Sequence, residues 1–386
     1  MINNTDKHNC CGCSACASVC PKACITMQAD EEGFLYPKVD VSNCIDCGLC
    51  EKTCPFLASL ETKQPLHTYA AVNPNEEDRY NSSSGGIFTM LVRETIDNGG
   101  VVYGAVFDWD WSVHHIAIER EEDIPLLQGS KYIQSVIGGS FKSAKEQLQS
   151  GRNVLFSGTA CQIAGLKNYL RKDYDNLLTV DVVCHGVPSP MIWQDYITTL
   201  QNKSLIEHIS FRDKQPGWRN YNFSIVYKDG RKFSESHNEN LYIQGFLRDL
   251  YIRPSCHNCK VKAGRCASDI TLGDFWGIDK VYPDLNDNQG VSVVLANTQK
   301  GNDIIKAVAP NVMVATYEQA IICNPCIVKA TPENKWKSHF WEAYNIGVDL
   351  PKCVNIIIKK QKPSLLLRIL RKIKACLRQR LVQKPQ

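Results

Sequence analysis

The residue type best equipped for chemistry in this chain is cysteine, which occurs nineteen times in 386 residues. The first of them recur at a fixed spacing. Cys10, Cys13, Cys16 and Cys20, followed by Pro21, spell C-x2-C-x2-C-x3-C-P, and Cys44, Cys47, Cys50 and Cys54 repeat it ahead of Pro55. A [4Fe–4S] cube takes four thiolates. A tight C-x2-C-x2-C loop supplies three, and in two-cluster ferredoxins the fourth cysteine of each run crosses to the other cube. The spacing therefore predicts one cluster on Cys10, Cys13, Cys16 and Cys54, and another on Cys44, Cys47, Cys50 and Cys20. The competing reading is a pair of four-thiolate zinc sites, but zinc favours separated C-x2-4-C knuckles over three consecutive cysteines. Cys11 and Cys24 fall outside the ligand pattern and read as packed or spare thiols.

Two further places offer chemistry. Ser157-Gly158-Thr159-Ala160-Cys161-Gln162 reads as a strand entering a helix through a glycine turn. Such a turn leaves N–H groups free at a helix N-terminus, where an anion or a reduced flavin ring finds donors. A cysteine in that first turn, Cys161, is expected to have a depressed pKa. The other place is Cys184 with Cys256, Cys259 and Cys266. Four thiols from two loops suit a third [4Fe–4S] cluster or a zinc ion, and buried unligated thiols are the third reading.

The elements that must carry these residues alternate strand, turn and helix from about residue 68 to 200, the mark of an α/β core. Tyr69-Ala70-Ala71-Val72 reads as a strand. Ser82 to Gly86 follows as a cap and glycine turn before the helical pattern Ile87–Ile96. Strands are expected at Val101–Phe107, Val113–Ile118, Asn153–Phe156 and Leu177–Val183, with a helix at 139–150 and another after Ser157-Gly158-Thr159. Gly33 to Asp40 reads as a short hairpin over the clusters, and residues 61–66 as a linker. From Ile206 the pattern changes to a hairpin, Asn222–Tyr227 and Arg231–Ser236 around Asp229-Gly230. A helix is expected within 240–250, and strands around Asp269–Gly277 and Val291–Ala296.

The length allows more than one domain. The N-terminal stretch shows no apolar signal-peptide core, and no run reaches the eighteen or so apolar residues of a spanning helix. The cysteines are then ligands or buried thiols of a reducing cytoplasm. Eleven lysines and arginines and no acid follow from Lys352 onward, so a chain of net charge +4 leaves its preceding body at −7. An acidic body argues against a nucleic-acid partner. Within 363–381, Leu366, Ile369, Leu370, Ile373, Leu377 and Leu381 share one helical stripe, with six cations elsewhere. Such a basic amphipathic helix suits peripheral contact with the inner face of a membrane, or docks on the body through its leucines. Lipid contact would fit a membrane-associated pathway such as surface-glycan assembly.

Over most of residues 1–330 the sequence resembles the beta-subunit family of coenzyme F-420 hydrogenase/dehydrogenase, whose relatives include ferredoxin-dependent chlorophyll-pathway reductases. The matching motifs are the double cysteine run, Ser84-Gly85-Gly86, Gly129-Ser130-Lys131-Tyr132, Ser157–Gln162, Cys184-His185-Gly186-Val187-Pro188-Ser189-Pro190 and Asp269–Gly277. Ala160 stands where the family usually has proline. The resemblance implies a fold of α+β or α/β class. Residues 1–60 would form a two-cluster ferredoxin-like domain, 66–150 and 151–330 the two parts of a mixed α/β flavin-binding body, 331–362 a linker, and 363–386 the amphipathic helix. It implies FAD beside the two [4Fe–4S] clusters, with Ser84, Gly85, Gly86, Lys131, Gly158 and Thr159 as flavin contacts. Cys184, Cys256, Cys259 and Cys266 become ligands of a further cluster, and Cys161 or His185 lies near the substrate. His185 titrates close enough to neutrality to donate a proton, its other reading being a structural cap of its loop. The implied activity is an oxidoreductase that takes single electrons from a ferredoxin-type donor and delivers a pair to a small molecule, because a flavin joins one- and two-electron steps. The alternative is an electron-transfer subunit that feeds a partner enzyme.

Overall fold

Strands buried on both faces need alternate side chains to satisfy two cores, and the central strands of this chain do so. In the computed structural model, which describes residues 1–2, 6–200 and 205–361, Val154 and Phe156 join one hydrophobic cluster while Leu155, between them, joins another. The N-terminal part carries α1 (Ala15–Val19), the hairpin β1 (Ile25–Ala29) and β2 (Leu35–Val39), and α2 (Leu49–Thr53). Gly33-to-Asp40 thus supplies the turn and the second strand, and its partner lies upstream. Next come β3 (His67–Ala71), α3 (Glu76–Asn81), α4 (Ile87–Asp97), β4 (Val101–Phe107), β5 (Val113–Ile118), α5 (Ile124–Leu127) and α6 (Ser140–Gln149). The middle of the chain is β6 (Val154–Thr159), α7 (Ala160–Leu170), β7 (Leu177–Val182) and α8 (Pro190–Thr199). Then follow β8 (Ile206–Asp213), β9 (Asn222–Tyr227), β10 (Lys232–Ser236) and α9 (Leu241–Phe246). The remainder is β11 (Ile270–Asp274), β12 (Ser292–Ala296), α10 (Gln299–Val308), β13 (Met313–Ala315), α11 (Tyr317–Ile322), α12 (Lys337–Asn345) and α13 (Leu350–Gln361).

Eight strands form one mixed sheet in the order β13-β3-β12-β11-β7-β6-β4-β5. The four strands β11, β7, β6 and β4 run parallel, and antiparallel strands flank them on both sides. Strands β8, β9 and β10 make a separate antiparallel sheet around the expected Asp229-Gly230 turn. On one face of the large sheet α6 and α7 pack with the cysteine-rich N-terminal part, through Phe141, Ala144, Ile163, Leu166 and Ala15. On the other, α4 and α10 contribute Ile87, Leu91 and Ile305. The fold is therefore mixed α/β with a ferredoxin-like N-terminal region.

Two expectations change. Residues 331–362, expected as a linker, carry α12 and α13. The apolar residues of α13, Leu350, Cys353, Val354 and Ile357, are buried, so this stretch has a packed face that a linker lacks. Residues 1–334 form one compact unit and a second begins at Lys335. The amphipathic stripe at 363–381 lies outside the described residues. Residues 61–66 are tied at both ends, Lys63 N–H donating to Ala263 O and Leu66 N–H to Ala296 O.

Candidate redox site

The two cysteine runs wind alike. Each places left-handed residues between its cysteines, Gly12 and Ser14 in the first, Asp46 and Gly48 in the second, and each ends in a five-residue helix, α1 or α2. Only the first needs glycine for space as well as for φ. A Cβ on Gly12 would sit 2.8 Å from Arg253 Nη1 and from Gln134 Nε2. The first set is buried, and the thiols of Cys13, Cys10 and Cys54 all act on Cys16, which burial first and these neighbours next push far up. Cys54 thus joins the first run, as the crossing rule requires. The second set, Cys20, Cys44, Cys47 and Cys50, lines one small cavity together with Cys24. Cys24 was not among the expected ligands, yet its sulfur is 3.4 Å from that of Cys20. Cys47 is exposed whereas Cys10, Cys13, Cys16 and Cys54 are buried.

The buried set abuts the sheet. Gly165 of α7 faces Cys13 so closely that a Cβ there would lie 2.9 Å from its sulfur. One helix turn earlier, Cys161 opens into a cleft at the carboxyl ends of β6 and β7, the edge where α/β sheets usually bind ligands. The cleft holds about 790 Å³, part of it open solvent. Cys11, Cys161, Cys184, Cys256, Cys259, Cys266 and Cys326 line it with His185 and Asp181. Strand register explains part of this set. Thr159 pairs with Val182 in the parallel ladder, so Cys161 and Cys184, each two residues further on, leave neighbouring strands side by side. Gly186 lets the next loop lie against Ile252 and Cys256, where a Cβ would meet Ile252 at 2.9 Å. Backbone bonds from Ser189 N to Tyr251 O and from Arg253 N to Val187 O fix that approach.

Within the cleft, the thiols of Cys161, Cys184, Cys256 and Cys259 act on one another electrostatically, and burial pushes that of Cys256 up to about 12. Cys266 does not join them. Its thiol faces Ser268 Oγ at 3.6 Å and Asp181, between left-handed Ala263 and Ala267. Of the four thiols expected together, Cys184, Cys256 and Cys259 interact and Cys266 stands apart from them on the cleft lining, while Cys161 lies with the three. Among the described residues no three His, Cys, Asp or Glu side chains are grouped as for a single metal ion. A cube binds each thiolate to a different iron, so its ligands need not meet at one point.

Cys161 has the depressed pKa expected of it, for a different reason. A hydrogen bond with Cys11 brings its thiol down to about 7 against the pull of burial, and Thr159 Oγ1 lies 3.1 Å from its sulfur. Cys11, expected to be a spare thiol, also hydrogen-bonds Cys13, and so touches both the buried cluster set and the cleft set. His185 is held by Asp249, with Nε2 to Oδ1 at 2.6 Å, and its Nδ1 is 3.7 Å from Cys326 Sγ. Burial alone would lower its pKa, but these two partners raise it to about 9. Lys262 Nζ donates to the carbonyls of Cys184 and Cys326 and clamps the two loops. Asp181 is buried at the opposite wall, where Ser268 and Thr271 hydroxyls donate to it at 2.6 Å. Desolvation raises its pKa to about 6. Sequence spacing held no signal for Asp249 or Cys326, which lie outside the motifs, nor for the role of Lys262, although it sits between Cys259 and Cys266.

The expected flavin contacts divide. Gly158 and Thr159 belong to β6 and pair with Asp181 and Val182, so the strand runs on through the expected turn. Thr159 N–H and Oγ1 both bond Gln162 Oε1, at 2.9 and 3.1 Å. Ser84 Oγ donates to Val291 O, and Gly85 N–H donates to Ser292 Oγ. Gly86 has φ of +83° and opens α4. Lys131 Nζ donates to Leu126 and Gln128 carbonyls, and burial lowers its pKa to about 7. The side chains expected to reach a flavin are thus engaged within the protein. Residues 129–135 nevertheless join the three motifs: Ser130 N–H donates to Ser83 Oγ, Ser135 Oγ accepts from Gln162, and Gln134 donates to Cys11 O. Outside the cleft lining, Arg212 stacks on Tyr221 and bonds Asp274 at 2.9 Å, while its buried Nε and Nη2 have no partner.

Residues 151–321 match the model for the carboxy-terminal part of the coenzyme F420 hydrogenase/dehydrogenase beta subunit, and residues 9–58 match the 4Fe-4S dicluster domain. The chain thus carries this family's carboxy-terminal domain together with a dicluster domain. The first of these stretches spans β6 to α11 and so contains the cleft's cysteine loops. The dicluster domain spans all eight cysteines of the two runs, and the chain is an iron–sulfur protein of the electron-transfer kind. Among solved structures, the chain is similar to one from the F420-reducing [NiFe] hydrogenase complex of Methanosarcina barkeri in a xenon-derivatised form. The identity is 18%, covering 74% of this chain and 95% of that one, with a TM-score of 0.48. A search of curated proteins gave no match. No helix among the described residues is long and apolar enough to cross a membrane.

Proposed function

We propose that the chain is an iron–sulfur flavoprotein oxidoreductase that takes single electrons from a ferredoxin-type protein and delivers pairs to a small molecule bound in the cleft. The observation that carries this reading is the linear order of the thiol sets. The Cys20/Cys44/Cys47/Cys50 set meets solvent at Cys47, the Cys10/Cys13/Cys16/Cys54 set lies buried against α7, and the cleft set begins at Cys161 on that same helix. Electrons would enter at the outer cluster and leave at the cleft. There Cys161, Cys184, Cys256 and Cys259 are the proposed ligands of a third cube, their crowded thiols easing once they are deprotonated on iron.

FAD has a further candidate contact, away from the cleft lining, that the sequence did not suggest. Arg212, with two unpartnered buried donors, is the residue that would hold its diphosphate, because bidentate guanidinium contacts suit phosphate geometry. Tyr132 and Trp276 flank it, and Ser84 lies beside its partner Asp274, with Ser84 Oγ 3.4 Å from Gly273 O. When bound, FAD supplies the junction between one- and two-electron chemistry. His185, held by Asp249 and facing the cleft, keeps a proton available there. A recessed cleft, not a flat patch, favours a substrate of the chain's own over a role that only feeds a partner enzyme. The test is anaerobic purification with iron, acid-labile sulfide and flavin quantified. About twelve irons and one FAD per chain are expected for three cubes and a flavin. About eight irons without flavin would reduce the chain to a two-cluster carrier.

A further inference from the structure

Arg253 is the largest charged side chain with no exposure at all. Its partners are neutral. Nε donates to Cys10 O at 2.7 Å, Nη1 to Gln134 Oε1 at 2.9 Å, and Nη2 to Leu35 O at 2.9 Å and towards Cys10 Sγ at 3.6 Å. Its plane lies 4.2 Å from the Tyr36 ring centre and 5.3 Å from that of Phe34. Gly12 leaves out the Cβ that would block its approach. A buried guanidinium surrounded by carbonyls, an amide and a thiol is costly unless a negative charge lies close by. The neighbours able to supply that charge are sulfurs. Its field reaches Cys10 and Cys13 of the buried cluster set, and Cys161 and Cys256 of the cleft.

We infer that Arg253 is the buried counter-ion of the Cys10/Cys13/Cys16/Cys54 cluster and raises that cluster's reduction potential above that of the outer one. Taking up one electron and no proton makes the thiolate-bound cube one unit more negative, so a fixed cation beside it stabilises the reduced form. Hydrogen bonds to cluster sulfurs act on potential in the same direction, whereas burial disfavours the added negative charge and works against it, so the cation must outweigh it. The outer set has no buried cation among the described residues. Lys22, on its cavity wall, is exposed and screened by water. The resulting step in potential draws electrons inward. This inference rests on the dicluster domain alone and stands whether or not the cleft holds a flavin or a third cube.

The test is an electron-paramagnetic-resonance redox titration of the anaerobically purified full chain as wild type, Arg253→Gln and Arg253→Lys. A Cys20→Ser background tells the two signals apart, because it alters the outer cluster only. Removing the charge should lower the buried cluster's midpoint by at least a tenfold change in its reduction equilibrium, about 59 mV for one electron. The outer cluster should stay in place, and Arg253→Lys should recover most of the shift. Unmoved potentials, or equal movement of both clusters, would overturn the assignment. If Arg253→Gln fails to load iron, Arg253→Lys decides alone: it keeps the charge but loses the fork towards Cys10 Sγ, and a smaller downward shift of the buried cluster is required.

Discussion

Replacing Gly165 by alanine probes the contact between the buried cluster and the helix that leads to the cleft. The new Cβ would lie 2.9 Å from Cys13 Sγ, 3.1 Å from Cys13 Cβ and 3.5 Å from Ala15 Cβ. Ordinary contact begins near 3.4 Å, so the sulfur must retreat by about half an ångström. In an iron-free chain the thiol can rotate away. The gain in helix propensity then dominates, about 1 kcal/mol in favour of alanine. With iron bound, Cys13 is fixed at both its backbone and its sulfur, and overpacking costs about 1–3 kcal/mol. The substitution should therefore change sign with iron: stabilising by up to about 1 kcal/mol when stripped, destabilising by up to about 2 kcal/mol when loaded. Thermal unfolding of loaded and chelator-stripped protein under argon, with iron counted per chain, measures both. If the loaded variant melts above wild type by as much as the stripped one does, Cys13 is not anchored to a cluster at that contact and the reasoning fails.

Two other perturbations test neighbouring parts of the scheme. Cys54→Ser should damage the buried cluster and Cys20→Ser the outer one, the reverse of their order in the chain, as read by the relaxation and solvent accessibility of the remaining resonance signals. The same cluster failing in both variants would refute the crossing. Asp181 provides a pH test. Its pKa rises from an ordinary 3.8 to about 6 through burial, so its contribution to stability is full below the ordinary value and is lost as pH climbs through about 6. Between about pH 5 and pH 7.5 the loss comes to about 1.4 kcal/mol. Asp181→Asn should flatten that part of the stability profile in anaerobic melts, and an unchanged slope would count against a buried, titrating carboxylate.

Local chemistry was legible in the sequence where ligand spacing is itself local. The two C-x2-C-x2-C loops and the crossed fourth cysteines follow from what one cube demands of a short loop. The α/β core also followed from the alternation of strand, turn and helix, and Val101–Phe107, Val154–Phe156 and Leu177–Val182 prove to be strands covered on both faces. The cleft quartet was legible only in part. Cys161 and Cys184 become neighbours through a register, Thr159 against Val182, which one strand's sequence cannot state. Cys266 stands apart from the other three because left-handed turns at two alanines, Ala263 and Ala267, flank it where it faces Asp181, and alanine gives no warning of a positive φ. Ser157-Gly158-Thr159 looked like a turn because glycine and hydroxyl residues favour turns, yet pairing with β7 keeps it extended. Arg212 and Arg253, two buried cations, sit in stretches without any motif.

The unequal covering of the two cysteine sets bears on survival in air. Water and dissolved oxygen reach Cys47 directly, whereas the inner four thiols lie under protein. Bleaching should therefore come in two phases, with the rim cube lost first. A chain caught between them would keep its brown colour and its inner cube while having lost the proposed doorway for electrons.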